Sequence, residues 1–210
     1  MRGIIAIACV FLVLGCAWVA ASADDPPDGT FATGIAGWTP LGPNALVAFN
    51  SNDANGSAES GSLKVTNITA IDADNYTGAD ACYGTASGER RYPVFVKFRL
   101  PPQGIGGGVE FVVRFYSAED CGGDLLNDPG NGQGETLGNE FFAGPKDAWS
   151  AQHGSAWAPA GTMSIGLRVL VTKRNAGSAQ PSLPYFALVD DVAIGLEPAS
   201  FATIPLVARD

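Results

Sequence analysis

Apolar and polar residues alternate with period two in several stretches of the chain. Leu63, Val65 and Asn67 oppose Lys64 and Thr66. Val94, Val96, Phe98 and Leu100 oppose Phe95, Lys97 and Arg99. Val109, Phe111, Val113 and Phe115 oppose Glu110, Val112, Arg114 and Tyr116. Met163, Ile165, Leu167, Val169 and Val171 oppose Ser164, Gly166, Arg168, Leu170 and Thr172, and Phe186, Leu188, Asp190, Val192 and Ile194 fall on one face. Side chains of a strand point alternately to its two faces, so this period predicts half-buried strands. No stretch beyond the N-terminal apolar segment sustains a helical period. Turn-forming residues separate the strands at 52–62, 101–104 and 175–184. The segment 122–138 is acidic and glycine-rich and reads as a long mobile loop. His153 falls in a Gly/Ser/Ala-rich stretch that also reads as a loop. Short strands with Gly, Pro and Asn turns predict an all-β, two-sheet antiparallel sandwich or jelly roll, with no internal repeat.

The N-terminus changes the picture of where the chain resides. Arg2 precedes an apolar run over residues 4–19, and Ala21-Ser22-Ala23 supplies a small-residue cleavage site. Charge, short apolar core and small-x-small end together predict a secretory signal peptide over 1–23. The run is short of the ~20 residues of a membrane span. A competing feature is Leu14-Gly15-Cys16, which loosely resembles a lipobox and would tether the chain to a membrane through Cys16. Cleavage after Ala23 leaves 187 of the 210 residues, one ordinary domain at 24–196 with a C-terminal tail at 197–210. Loss of Arg2 takes the net charge from −9 to −10. Such an acidic chain repels phosphate backbones and anionic lipid, which argues against nucleic acid and membrane surfaces as main partners. A secreted or periplasmic monomer is expected.

Cys9 and Cys16 fall in the predicted signal segment, which leaves Cys82 and Cys121. In an oxidising compartment these two have one pairing open to them. Closing that loop of about forty residues stabilises by roughly 3–4 kcal/mol in the chain-entropy model. With His153 as the sole histidine, the two cysteines make a poor zinc site.

Four segments, in order, resemble signatures of the carbohydrate-binding-module-like, galactose-binding-domain-like jelly rolls. Asp28-Gly29-Thr30-Phe31-Ala32-Thr33-Gly34-Ile35-Ala36-Gly37-Trp38 is similar to their opening motif. Asp53-Ala54-Asn55-Gly56-Ser57 through Ser60-Gly61-Ser62-Leu63-Lys64-Val65-Thr66-Asn67 resembles a hairpin of these modules. Trp149 followed by Ala158-Pro159-Ala160-Gly161-Thr162 resembles a later signature, and Val189-Asp190-Asp191-Val192-Ala193-Ile194 the closing strand. The resemblance spans residues 28–196. It implies a two-sheet sandwich with first and last strands close together, and a secreted, non-catalytic module for a glycan or polysaccharide. It also implies a structural Ca²⁺ between the first strand and the closing acids, with Asp28, Asp190 and Asp191 as ligands. Thr30 and Ala32 stand where the family carries acids, which weakens that ligand set.

Pyranose rings stack on aromatic faces, and their hydroxyls bond to Arg, Asn, Asp and Gln. The outward set Phe95, Val112, Arg114, Tyr116, Arg168 and Leu170 therefore forms the candidate platform, provided its strands share a sheet. Phe95, Arg114, Tyr116 and Arg168 are its expected ligand contacts. A covered outer face is the plainer outcome. Trp38 is expected to be buried and Trp149 structural, with Trp157 and Tyr83 at the rim. Asp72 to Gly78 reads as a polar turn that lacks the acids and glycine of a calcium loop. No G-x-S-x-G or H-E-x-x-H motif is present, and nothing in the sequence brings Glu110 to Glu140 as a carboxylate pair. A non-catalytic binding module is the expected function. An extracellular or envelope structural domain without a sugar ligand is the alternative.

Overall fold

The computed structural model describes residues 27–69, 75–102, 106–128, 134–137, 146–174 and 184–195. The expected signal peptide, Cys16, the C-terminal tail, Asp72 and Glu140 lie outside these residues. Among the described residues there are ten strands and no helix. They are β1 (Trp38–Leu41), β2 (Ala45–Asn50), β3 (Ser62–Asn67), β4 (Asn75–Thr85) and β5 (Arg90–Arg99), then β6 (Gly106–Tyr116), β7 (Glu135–Thr136), β8 (Trp149–Ala158), β9 (Ser164–Arg174) and β10 (Tyr185–Ile194). Two five-stranded sheets form, ordered β1-β4-β9-β6-β7 and β2-β3-β10-β5-β8, called here the first and second sheet. Every neighbouring pair is antiparallel. From β3 onward the chain crosses repeatedly between the sheets, the order of a jelly roll, with β1 and β2 added at one side.

The predicted alternation becomes the core. Leu63, Val65, Val94, Val96, Phe98, Val109, Phe111, Val113, Phe115, Leu167 and Val169 fill the space between the sheets, each at most 3% exposed. Aromatic contacts join the layers: Phe98 meets Phe111 at 5.8 Å between ring centroids, and Tyr92 meets Phe115 at 5.6 Å. Aromatic pairs in such tilted geometries add to area burial. Trp38 is buried as expected, packed between Phe31 and Tyr83. The opening segment is fastened to the last strand, as the resemblance implies. The Val192 amide donates to the Gly29 carbonyl at 2.9 Å, and a Cβ on Gly29 would lie 1.9 Å from the Val192 oxygen. Only glycine permits that approach.

Four expectations need correction. In β10 the pairing register with β5 shifts between Asp190 and Ala193, where Asp191 adopts a left-handed φ of 47°. The bulge inverts the phase of the strand. Tyr185, Ala187, Val189 and Val192 face the core, while Phe186, Leu188 and Asp190 face outward. The stretch around His153 is β8, an edge strand whose core-facing positions carry no large apolar residue, and residues 75–78 begin β4 rather than a turn. The described part of 122–138 is anchored rather than loose. Asn127 accepts from the Phe115 amide and donates to the Val113 carbonyl, both at 2.9 Å, so its side chain continues the edge of β6 as a strand would.

Candidate functional site

The outer face of the first sheet gathers the candidate chemistry. Register places Asp80 of β4 opposite Arg168 of β9, and Arg168 opposite Val112 of β6. One step along, Cys82, Gly166 and Arg114 are opposite one another, and Tyr116 faces Ser164. Period two then puts Asp80, Cys82, Arg114, Tyr116 and Arg168 on the same surface.

A charge-assisted cluster follows. The Arg168 guanidinium grips Asp80 with both arms, Nε to Oδ1 and Nη2 to Oδ2, each at 2.7 Å. This is the bidentate geometry in which arginine binds carboxylates best. Arg114 reaches the same carboxylate only at 3.4 Å. Its guanidinium lies 5.1 Å from the centroid of the Tyr116 ring, within cation–π range. Burial works to lower the Arg168 pKa, but the hydrogen bonds and charge of Asp80 outweigh it and raise it. Burial also raises the Tyr116 pKa, against the opposing charges of Arg114 and Arg168.

The floor beneath is fixed covalently. Cys82 and Cys121 form the expected disulfide, with 5.7 Å between Cα atoms. A disulfide of this kind fits an oxidising compartment. Gly166 makes room for it: a Cβ there would lie 3.3 Å from the Cys121 sulfur and 3.4 Å from the Tyr116 ring. The Cys121 amide donates to Ser164 Oγ, and that hydroxyl donates to the Ala118 carbonyl. The segment after β6 is thus pinned over one end of the face, beside Tyr116.

Three of the four expected contact residues come together here: Arg114, Tyr116 and Arg168. Phe95 does not. It points outward as the alternation predicts, but β5 belongs to the second sheet, where Phe95 is opposite His153 and only 8% exposed. Much of the first sheet's face is covered, since Val112 and Leu170 are 0% and 4% exposed. The open part is the corner at Arg114, Asp80 and Tyr116. Asp80 was not singled out by the sequence reading. Counting back two positions from Cys82 would have placed it on this face. Trp157 is half exposed on the outer face of β8, away from this cluster. Glu110 accepts a hydrogen bond from Thr136 at 2.7 Å.

The three acids expected to hold calcium are each engaged locally. Asp28 caps its own loop through Thr30 and Thr33. Partial burial pushes its carboxyl up, but these hydrogen bonds, with one from Ala32, outweigh that and hold it below the usual range. Asp190 is fully buried and accepts from the Ala54 and Asp191 amides, both at 2.7 Å. Burial raises its carboxyl to about 6, with the charges of Asp191 and Asp53 adding to the rise. Asp191 holds Lys97 Nζ at 2.7 Å and Asn55 Nδ2 at 2.9 Å, and Lys97 also donates to Asn55 Oδ1 at 2.6 Å. An ammonium therefore stands where a cation would neutralise Asp191. Among the described residues no group of three or more His, Cys, Asp or Glu side chains converges as a metal site.

Comparison with solved structures finds the same sandwich at low identity. The CBM22-1 xylan-binding domain from Paenibacillus barcinonensis is 17% identical with a TM-score of 0.53, matching 84% of this chain to 99% of that one. The N-terminal CBM22-1 and GH10 modules of a Clostridium thermocellum endo-1,4-beta-D-xylanase, solved with xylohexaose, are 16% identical at a TM-score of 0.51. That match takes in 83% of this chain and 28% of the other. The enzymatically active domain of tailspike protein 4 from bacteriophage CBA120 is 12% identical at a TM-score of 0.54, over 83% of this chain and 21% of that one. The chain thus spans only about a quarter of those two longer proteins. No protein-family model and no curated protein sequence matches the chain. The fold is that of a carbohydrate-binding-module-like β-sandwich jelly roll. No helix among the described residues is long and apolar enough to cross a membrane.

Proposed function

We propose that this chain is an exported, monomeric, non-catalytic module that binds a glycan at the open corner of the first sheet. The observation that carries the reading is the half-buried Tyr116 ring, which lies against the Arg114 guanidinium and next to Gly166. An aromatic ring fixed in position offers a sugar a stacking surface at little entropic cost. Arg114 and Asp80 supply donors and acceptors beside it, with Arg168 holding Asp80 in place. Sharing a fold with xylan-binding modules supports the reading without carrying it, because one architecture hosts many functions. The test is retention of the disulfide-intact protein on insoluble polysaccharides and a glycan array, beside Tyr116→Ala. Loss of one stacked ring is expected to weaken binding by about tenfold. Undiminished binding by Tyr116→Ala would remove this corner as the site.

We further read Lys97 as the replacement for the calcium that the fold family uses near its closing acids. The ammonium bridges Asp191 and Asn55, which otherwise leave a carboxylate in need of a cation. A second functional reading, a structural or protein-contact domain, draws on β2. This edge strand carries no charged residue and leaves Leu46 53% and Phe49 47% exposed, features that invite pairing with another chain. Failure of the folded protein to bind any glycan would favour it.

A further inference from the structure

We propose that the glycan bound at this corner carries isolated uronic-acid residues on an otherwise neutral chain, with Arg114 taking the carboxylate. The inference rests on the glycan-binding reading and names the ligand class for the same site.

Two guanidiniums share Asp80 unequally. Both of its oxygens are occupied by Arg168 at 2.7 Å, which leaves Arg114 a single contact at 3.4 Å. The Arg114 side chain is only 16% exposed, and its buried Nε has no hydrogen-bond partner. A guanidinium carries five N–H donors and remains charged at any pH a protein meets. Holding such a group largely out of water, without its own counter-ion, is unfavourable. That arrangement is expected where a ligand supplies the missing charge. A hydroxyl would satisfy a donor but leave the charge, whereas a carboxylate satisfies both in fork geometry. Tyr116, in contact with the guanidinium, places an aromatic ring within reach of the same sugar.

The whole-chain charge sets the density of such groups. A protein of net charge −9 repels a continuous polyanion at long range. A single carboxylate flanked by neutral sugars meets the local guanidinium without that opposition. Uronates spaced along a neutral backbone therefore fit better than a polyuronate.

The experiment measures binding of the purified, disulfide-intact protein to glucuronoxylan, xanthan and polygalacturonate. Each polymer is paired with a form whose carboxyl groups have been reduced to alcohols. We expect retention on glucuronoxylan or xanthan, weakened at least tenfold by carboxyl reduction. Arg114→Gln should weaken binding to the native polymer more than to the reduced one, so that the preference for the carboxyl-bearing form disappears, and Arg114→Lys should restore part of it. Equal binding before and after reduction overturns the uronate inference and leaves the glycan reading standing. Preference for polygalacturonate overturns the isolated-uronate inference. Binding of no polymer, neutral or acidic, overturns both. Should Arg114→Gln not fold, the native and reduced polymers on the unaltered protein decide alone.

Discussion

Replacing both bridge cysteines, Cys82→Ser with Cys121→Ser, should cost stability and binding together. The bridge joins residues 39 positions apart. In the chain-entropy model, closing a loop of that length removes about 13 cal/mol/K from the unfolded ensemble, or about 4 kcal/mol at 25 °C. The loop includes β5 and β6, which lie in opposite sheets, so an open unfolded chain has wide freedom to lose. The bridge also packs against Gly166 beside the Tyr116 ring. Two hydroxyl groups are no longer tied to each other and seek hydrogen bonds that the sulfurs did not, so the floor beside the ring should loosen. Equilibrium unfolding in guanidinium, followed by tryptophan fluorescence, gives the difference between oxidised protein and variant. We expect a loss of roughly 3–4 kcal/mol with unchanged native secondary structure. Glycan affinity of the folded variant should fall as well. A loss below about 1 kcal/mol would refute the entropic reasoning, since it would mean the unfolded chain already holds these segments close. A full loss of stability with intact affinity would instead detach the bridge from the site.

Asp190→Asn should remove a pH dependence. The carboxyl, at about 6 in the fold against 3.8 as its ordinary value, favours the protonated folded state. Its contribution is fully present below about 3.8 and lost as pH rises through about 6, a change of about 3 kcal/mol. The stability difference between protein and variant, followed by denaturant unfolding from pH 3.5 to 7, should shift in that direction, and a flat difference counts against it. Calcium or chelator should leave the melting temperature of the protein unchanged. Lys97→Met should lower it, because an unpaired, partly buried carboxylate costs about 1–2 kcal/mol of stability, and calcium should then raise it. Calcium stabilisation of the unaltered protein would contradict the reading of Lys97. Gly29→Ala puts a Cβ 1.9 Å from the Val192 oxygen, so the opening segment must leave the last strand. We expect a loss of about 2 kcal/mol, or roughly 4–8 °C in Tm by calorimetry.

Period two determined which side of its own strand each candidate residue occupies, and for Arg114, Tyr116 and Arg168 that was enough. Their strands β6 and β9 are neighbours, so a correct face became a shared surface. For Phe95 the face was right and the surface wrong, because alternation says nothing about which sheet a strand joins. That choice is made by the crossing order of the chain, a long-range property. Strand β4 escaped notice because Ala79 and Ala81 face the core with little apolar contrast to their neighbours. With β4 went Asp80, the centre of the cluster. Strand β8 was hidden the same way, its inner positions being Ser, Gln, Gly and Ala. In β10 the alternation is real on each side of Asp191, but a left-handed residue between them reverses its meaning. The opening motif, the disulfide and the closing acids were legible because their residue types are tied to specific backbone or covalent requirements.

The two arginines of the cluster show why residue type alone does not assign a role. Arg168 stands on the central strand β9, between β4 and β6, and is 7% exposed. From there its guanidinium meets Asp80 on the adjacent strand in a two-armed pair that fixes both side chains. Breaking that pair would leave a charge stranded in a covered place, so its first consequence is structural. Arg114 stands one strand further from Asp80 and meets a carboxylate already committed elsewhere. Its guanidinium keeps only one loose contact with that acid, and its nearer neighbour is an aromatic ring. Arg168→Gln should therefore lower the melting temperature before it alters specificity. Arg114→Gln should do the reverse, leaving Tm nearly unchanged while the preference for carboxylate-bearing polymers disappears. If the two variants lost stability equally, the division of labour argued from their distances to Asp80 would not hold.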